Sequence, residues 1–262
     1  MSYETLIYDV ADNVATITFN TPKSANALSP LGAREFRAVA EAADDDANVR
    51  AVVMTGAGRM FSAGGDLGSF AKAGGGARKL IMEMAGDLHM GLSRLGRTSA
   101  PVIGAINGTA AGAGLSLVMA CDLAIAAESA VFTMAYTKAG LTPDGSSTYY
   151  MPRKIGDRRA RELMLTNRVL SSAEALEWGV VNEVVADDEV LPRAQALAQK
   201  LATGPTAAFG GVKTLLNGTF DQTLESQMEL EARTIGDLVL GADGQEGIHA
   251  FLEKRRPTFK GE

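Results

Sequence analysis

Two glycine-rich stretches, "SAGGDL" (62–67) and "NGTAAGAGLSL" (107–117), and one lone acid, Asp144 in "GLTPDGSSTYY" (140–150), are the residues whose types and spacing point to chemistry. Glycine lets a backbone turn its N–H groups toward a ligand with no side chain in the way. A helix starting at Ala113 or Gly114 would add the positive end of its dipole, worth about half a charge. Two N–H groups that converge on one carbonyl oxygen form an oxyanion hole, which favours the negative charge that builds there during reaction. A carboxylate within reach of such a hole can take a proton from carbon or return one. Each feature also has a purely structural explanation: close packing of strand on helix for the glycines, and a chain reversal at Pro143-Asp144-Gly145 for the acid.

Rival chemistries fail on spacing. "GTAAGAG" lacks the Gly-Lys-Ser/Thr ending of a phosphate-binding loop, and its glycines are not set as Gly-x-Gly-x-x-Gly after a first strand. Ser116 is not in a Gly-x-Ser-x-Gly elbow. The only histidines, His89 and His249, sit in amphipathic helical stretches with no acid in a recognisable order, which favours surface or core roles. Cys121 is the single cysteine, so there is no internal disulfide and no thiolate cluster, and metal ligands at usable spacing are absent. Lys plus Arg number 25 against 31 Asp plus Glu, a net charge of −6 that argues against a nucleic-acid or membrane-surface binder.

The opening "MSYETLIYDV" lacks the basic and apolar segments of a secretory leader, and cytoplasmic residence is expected. Thr98 to Cys121 is uncharged and long enough to span a bilayer. Its glycines, proline, asparagine and hydroxyls make it poorly lipophilic and a poor continuous helix, which argues against a span.

The elements that must hold these residues follow from periodicity. "VATITFN" (14–20) alternates as a strand, with Ile17 and Phe19 on one face, and pairs with "LIYDV" as a hairpin. Ser29 caps a helix that has Pro30 in its first turn and Leu31, Phe36, Val39, Ala40 and Ala43 along one face. "RAVVMTG", "PVIGAIN", "DLAIAA", "AVFTMA" and "VVNEVV" read as strands. Helices are expected around Leu80 to Leu95, over "LSLVMA" and "DRRARELMLTN", and at "SSAEALEWG", where Ser171 and Glu174 form a capping box and Gly179 ends the helix. "AGGGA" (73–77) reads as a mobile loop. The layout is a mixed α/β body over 1–203 and a helical region over 204–262, joined at "TGPT" (203–206).

"PKSANALS", "FSAGGDL", "APVIGAINGTAAGAG", "ACDLAIAAESAVFTMAYTKAGLTPDG", "EALEWGVVNEVV" and "FLEKRRPTFKGE" resemble, in this order and over essentially the whole chain, the enoyl-CoA hydratase/isomerase (crotonase) superfamily. The patterns AAGAG-x-SL and GL-x-PD-x are most similar to those of its 1,2-epoxyphenylacetyl-CoA isomerase-like members. The resemblance implies an α/β spiral of ββα units and a C-terminal helical region that assembles trimers or dimers of trimers. It also implies an acyl-CoA substrate, with coenzyme A present as part of the thioester and no permanently bound cofactor.

Residue by residue, the implied oxyanion donors are the N–H groups of Gly65 and Ala113, with Asp144 as the acid/base. Lys23 and Ala25 match positions that hold the coenzyme A portion. Ala63, Asp66, Leu67, Ser116 and Tyr136 fall beside the substrate, and Phe251 and Lys260 match positions that reach a neighbouring subunit's ligand. The chain departs from the hydratases, which resemble one another in a pair of glutamates where Ser116 and Tyr136 stand here. One remaining carboxylate suits an isomerase that takes a proton from one carbon and returns it to another. A hydratase with a non-standard acid/base set, a ring-cleaving or dehalogenating member with Asp144 as nucleophile, and a catalytically silent acyl-CoA-binding or RNA-binding relative are the alternatives.

Overall fold

The chain folds by repeating one step. A strand enters a large sheet, a glycine-containing turn follows, a short strand enters a small sheet, and a helix returns the chain to its start. The computed structural model describes residues 3–262; Met1 and Ser2 lie outside the described residues. The hairpin β1 (Leu6–Ala11) and β2 (Val14–Phe19) leads into α1 (Pro30–Asp45). Next come β3 (Ala51–Gly56), β4 (Met60–Ser62), α2 (Leu67–Ala73) and α3 (Ala77–Arg97), then β5 (Val102–Ile106), β6 (Thr109–Ala111) and α4 (Ala113–Ala120). β7 (Leu123–Ala127) and β8 (Val131–Thr133) are followed by α5 (Ser147–Ile155), α6 (Asp157–Thr166), β9 (Leu170–Ser171) and α7 (Ser172–Trp178). The chain ends with β10 (Glu183–Val185), α8 (Val190–Ala202), α9 (Thr206–Gly218), α10 (Leu224–Leu238) and α11 (Ala242–Leu252).

The large sheet has the order β1-β2-β3-β5-β7-β10 and the small one β4-β6-β8-β9. Each turn of the spiral therefore adds one strand to each sheet, and the successive strands β3, β5 and β7, like β4, β6 and β8, pair in parallel. Parallel strands covered on both faces need apolar side chains throughout. β3 and β5 accordingly have every residue buried, whereas the hairpin strand β2 keeps Thr16 and Thr18 at the half-exposed positions and buries Ile17 and Phe19. Phe19 stacks on Phe36 of α1 and meets Phe61 of β4 edge-on, at centroid distances of 6.0 and 5.6 Å, which ties the first turn of the spiral together. Ser29 caps α1 through the Gly32 N–H at 3.0 Å, a contact worth about 1 kcal/mol in helix stability.

The uncharged stretch from Thr98 to Cys121 becomes β5, β6 and α4, and α4 is buried along nearly its whole length. Among the described residues no helix is long and apolar enough to cross a membrane. The glycine patch expected to be a mobile loop is instead a 3₁₀ turn, Gly74–Gly76, that runs directly from α2 into α3.

The helices after Thr203 are fastened to the spiral by buried polar contacts. Lys213 of α9 donates to the carbonyls of Leu95 and Ala100 at 2.9 and 3.0 Å and pairs with Asp122 at 2.8 Å. Asp243, also buried, accepts the N–H groups of Lys260 and Gly261 at 2.6 and 2.7 Å and holds the terminal segment down.

Candidate active site

The first glycine turn leaves β4 and lies against the loop that precedes α1. Ala63 donates its N–H to the Ala25 carbonyl at 2.9 Å, Leu28 donates to Gly64 at 2.7 Å, and Asp66 donates to Leu28 at 2.9 Å. Leu28 thus bonds to the residues on either side of Gly65 in a single parallel bridge. In such a bridge the central residue directs its own N–H away from its partner. The Gly65 N–H is accordingly free of any acceptor among the described residues.

The second donor comes from the first residue of a helix. Ala113 opens α4, and its N–H is one of the groups an α-helix leaves without an internal partner. It too has no acceptor among the described residues. Gly64 brings the two turns together. It has φ +96°, and a Cβ on it would lie 2.8 Å from the Ala111 carbonyl oxygen and 3.0 Å from the Ala113 nitrogen. Only glycine permits both that conformation and that approach. Buried Ser62 stiffens the turn by accepting the Gly64 N–H at 3.2 Å and donating to the Asn26 carbonyl at 2.9 Å. Asn26 in turn clamps the Ala57 and Met60 carbonyls through Nδ2.

Gly65 and Ala113 line a cavity of about 250 Å³ together with Ala63, Leu67, Tyr136 and Asp144. Apart from Thr142 its remaining walls are apolar, including Phe70, Ile81, Met84 and Leu88. Asp144 is the only carboxylate among the described residues that line it. Ile81, Met84, Ala85 and Leu88 place α3 in the wall, and Gly74–Gly76 does not line it.

Asp144 sits on a turn that a side-chain network holds in place. Tyr136 donates its hydroxyl to Oδ1 at 2.6 Å. Ser116 of α4, fully buried, donates to the Asp144 carbonyl at 2.9 Å and stands 3.1 Å from the Tyr136 hydroxyl. Ser147 donates to the same carbonyl at 2.9 Å. Oδ2 accepts no hydrogen bond from the described residues and remains available. Burial raises the Tyr136 phenol well above its ordinary value and the Asp144 charge adds to the effect, so Tyr136 acts as a hydroxyl donor rather than as a base.

The turn at Asp144 requires Gly145 behind it: φ is +60°, and a Cβ would lie 2.8 Å from the Ser116 Cβ. Ser146, at φ +62°, pays for a second left-handed residue in succession. His89, on α3, completes the surroundings. Its Nε2 accepts the Gly145 N–H at 3.1 Å and lies 4.0 Å from Asp144 Oδ2.

Several residues matched to the substrate stand outside this cavity. Lys23 and its neighbour Pro22 border a separate surface hollow with Arg59 and Thr109, and Ala25 serves through its carbonyl to Ala63. The Asp66 side chain caps α2, accepting from the Gly68 N–H and, at 2.5 Å, from the Ser69 hydroxyl, which holds it below the usual carboxylate range. Ser116 lies behind the acid rather than in the cavity wall. Phe251 is 82% exposed on α11 and Lys260 lies in the terminal segment; neither lines the cavity of its own chain. His89 was not expected at the site, because 55 positions of sequence separate it from Asp144 and nothing in its helical pattern signals the contact. Asn26 had a visible clue, its place inside "PKSANALS". Cys121 is buried, and burial pushes its thiol up to about 12, which leaves it unreactive.

The arrangement offers two unpaired main-chain donors, one available carboxylate oxygen and an apolar chamber. The family profile described as enoyl-CoA hydratase/isomerase matches residues 9–262. A Rhodobacter capsulatus protein called "Probable enoyl-CoA hydratase" is 40% identical over 100% of both chains. The 1,2-epoxyphenylacetyl-CoA isomerase of Escherichia coli is 38% identical over 98% of this chain and 99% of its own. The crystal structure of an enoyl-CoA hydratase from Polaromonas sp. JS666 superposes with a TM-score of 0.92 at 31% identity, covering 97% of this chain and 99% of that one. With its spiral of ββα units and a match that runs almost from end to end, the chain belongs to the enoyl-CoA hydratase/isomerase family.

Proposed function

We propose that the protein is an acyl-CoA isomerase that works through a thioester enolate, with Asp144 as the single acid/base. The observation that carries this reading is the solitary carboxylate in the chamber that also holds the Gly65 and Ala113 amides. The thioester oxygen would lie between those two N–H groups. Asp144 Oδ2 would remove a proton from carbon, the two donors would hold the resulting enolate oxygen, and the same carboxyl would return the proton at another carbon.

The hydroxyls behind Asp144 support this cycle, because they can serve both protonation states. With the carboxylate ionised, Tyr136 donates to Oδ1. With the proton taken up on Oδ2, Oδ1 is the carbonyl oxygen of the acid and still accepts the Tyr136 hydroxyl, and Ser116 keeps its bond to the Asp144 carbonyl. Hydration calls for one group to activate water and another to protonate carbon. The family likeness also spans proteins named for hydration, and Asp144 with the nearby Tyr136 or His89 gives that second reading its support.

Coenzyme A enters as part of the substrate in this proposal, gripped by Lys23 and the loop around Ala25. Phe251 and Lys260 would serve a neighbouring subunit's ligand in a trimer or dimer of trimers. Phe220, Leu224, Ile235, Leu240, Phe251 and Leu252, all largely exposed on or beside the C-terminal helices, supply apolar surface for such assembly.

Incubation with enoyl-, 3-enoyl- and phenylacetyl-derived CoA esters followed by mass spectrometry separates the readings. Isomerisation leaves the mass unchanged, whereas hydration adds one water. Asp144→Asn should retain acyl-CoA binding by calorimetry and lose roughly 10²–10⁴-fold in turnover, the usual contribution of a positioned acid/base. Undiminished turnover would return Asp144 to the status of a turn residue.

A further inference from the structure

Asp144 lies between two spaces. Besides the apolar chamber it borders an open cavity of about 990 Å³ lined mostly by polar side chains, and His89 stands at that border with its side chain half exposed. A histidine nitrogen 4.0 Å from a carboxylate could be the charged half of an ion pair. The hydrogen bond at the same nitrogen decides otherwise. Nε2 accepts the Gly145 N–H at 3.1 Å, so it carries a lone pair, and in the neutral ring the proton is on Nδ1.

We propose that His89 is a positioning residue for Asp144: neutral His89 holds the Gly145 amide and so aims the carboxylate, and protonation exchanges that bond for an ion pair with Oδ2. The proposal rests on Asp144 being the acid/base. A proton on Nε2 cannot coexist with the Gly145 N–H pointing at the same nitrogen, so charging His89 frees the amide of a left-handed turn. It also engages the one carboxylate oxygen left open for substrate. Both effects disable the same group. The other titratable or charged groups along the outer cavity are Arg97 on α3, Tyr149 and Tyr150 on α5, and Asp221 beyond α9. Arg97 and the two tyrosines offer no negative charge to a histidinium and Asp221 pairs with Arg153 at 4.0 Å, which leaves Asp144 as the ion-pair partner of His89 among the described residues.

The test uses the full-length protein. Nitrogen-15 NMR of the imidazoles, with H249Q to leave a single histidine signal, should show the Nδ1–H tautomer of His89 at pH 8. The kcat profile should fall on the acid side. H89A should lower kcat roughly three- to tenfold with little change in KM, the loss of one hydrogen bond. H89Q, whose amide oxygen can accept the Gly145 N–H but cannot ionise, should recover most of that loss and move the acid limb down by at least about one pH unit. An Nε2–H tautomer at pH 8, or an acid limb unaltered in H89Q, would overturn the proposal. D144N separates the two claims: full turnover in D144N would remove the acid/base role of Asp144, whereas the tautomer is read without any turnover.

Discussion

On one wall of the chamber the polar groups are backbone amides, Gly65 and Ala113, and on another they are side chains, Asp144 backed by Tyr136, Ser116 and His89. The amides are set by strand pairing, by a helix start and by a glycine that admits no Cβ. They can be lost but hardly retuned. The acid is set by side-chain hydroxyls and an imidazole on separate elements, each replaceable without moving the main chain far. Under the proposed function, the difference teaches that the amide wall would serve any thioester reaction passing through an enolate, while the side-chain wall would select which one.

The sharpest way to break the comparison is at the amide wall. Gly64→Ala should drive the two turns apart, because its Cβ has backbone on either side, and kcat/KM should fall roughly 10²–10³-fold, as for loss of an oxyanion donor. A circular-dichroism melt would verify that the fold survives. The side-chain wall should respond in smaller steps. Tyr136→Phe removes the donor to Oδ1 and should lower kcat on the order of tenfold, the worth of one hydrogen bond to a charged group. Ser116→Ala leaves Tyr136 on the acid and should cost about threefold, the weaker end of the same scale. If Ser116→Ala proved as damaging as Gly64→Ala, the two walls would not differ as claimed.

A substitution remote from both walls gives the baseline. Burial would raise the Glu35 carboxyl, but the N–H groups of Glu4 and Thr5 and the Thr5 hydroxyl outweigh it and lower the value below 4.5. A carboxyl lowered in the folded state stabilises fully above its unfolded value, and that stabilisation is lost as pH falls through the folded one. Glu35→Gln should therefore melt below the parent at neutral pH, with the gap closing as the solution is acidified below 4.5. Turnover per folded molecule should not change.

Legibility in the sequence followed the same division. Strands and helices with a clear period, such as β2 and α1, and the capping box at Ser171 could be read directly, and so could both glycine turns, because each depends on neighbours a few positions apart. β6 was hidden inside "NGTAAGAG", since three residues between glycines carry too little pattern to announce a strand. The Gly74–Gly76 turn was misread because composition says nothing about helices on both sides. Asp66 drew attention as an acid beside the substrate, yet its spacing to Gly68 and Ser69 is that of a helix cap. His89 meets Asp144 only through packing of α3 on the turn before α5, a relation that no local signal encodes.

The hydrogen bond from Ala63 to Ala25 and the bridge between Leu28 and Gly65 tie residues 25–28 to residues 63–66. A displacement of residues 25–28 would reach the Gly65 amide through those bonds. If the handle of the thioester is held near Lys23, its grip would bear on the hole many bonds from the reacting carbon. A clipped substrate such as an N-acetylcysteamine ester would then react slowly even at saturation, forfeiting rate as well as affinity.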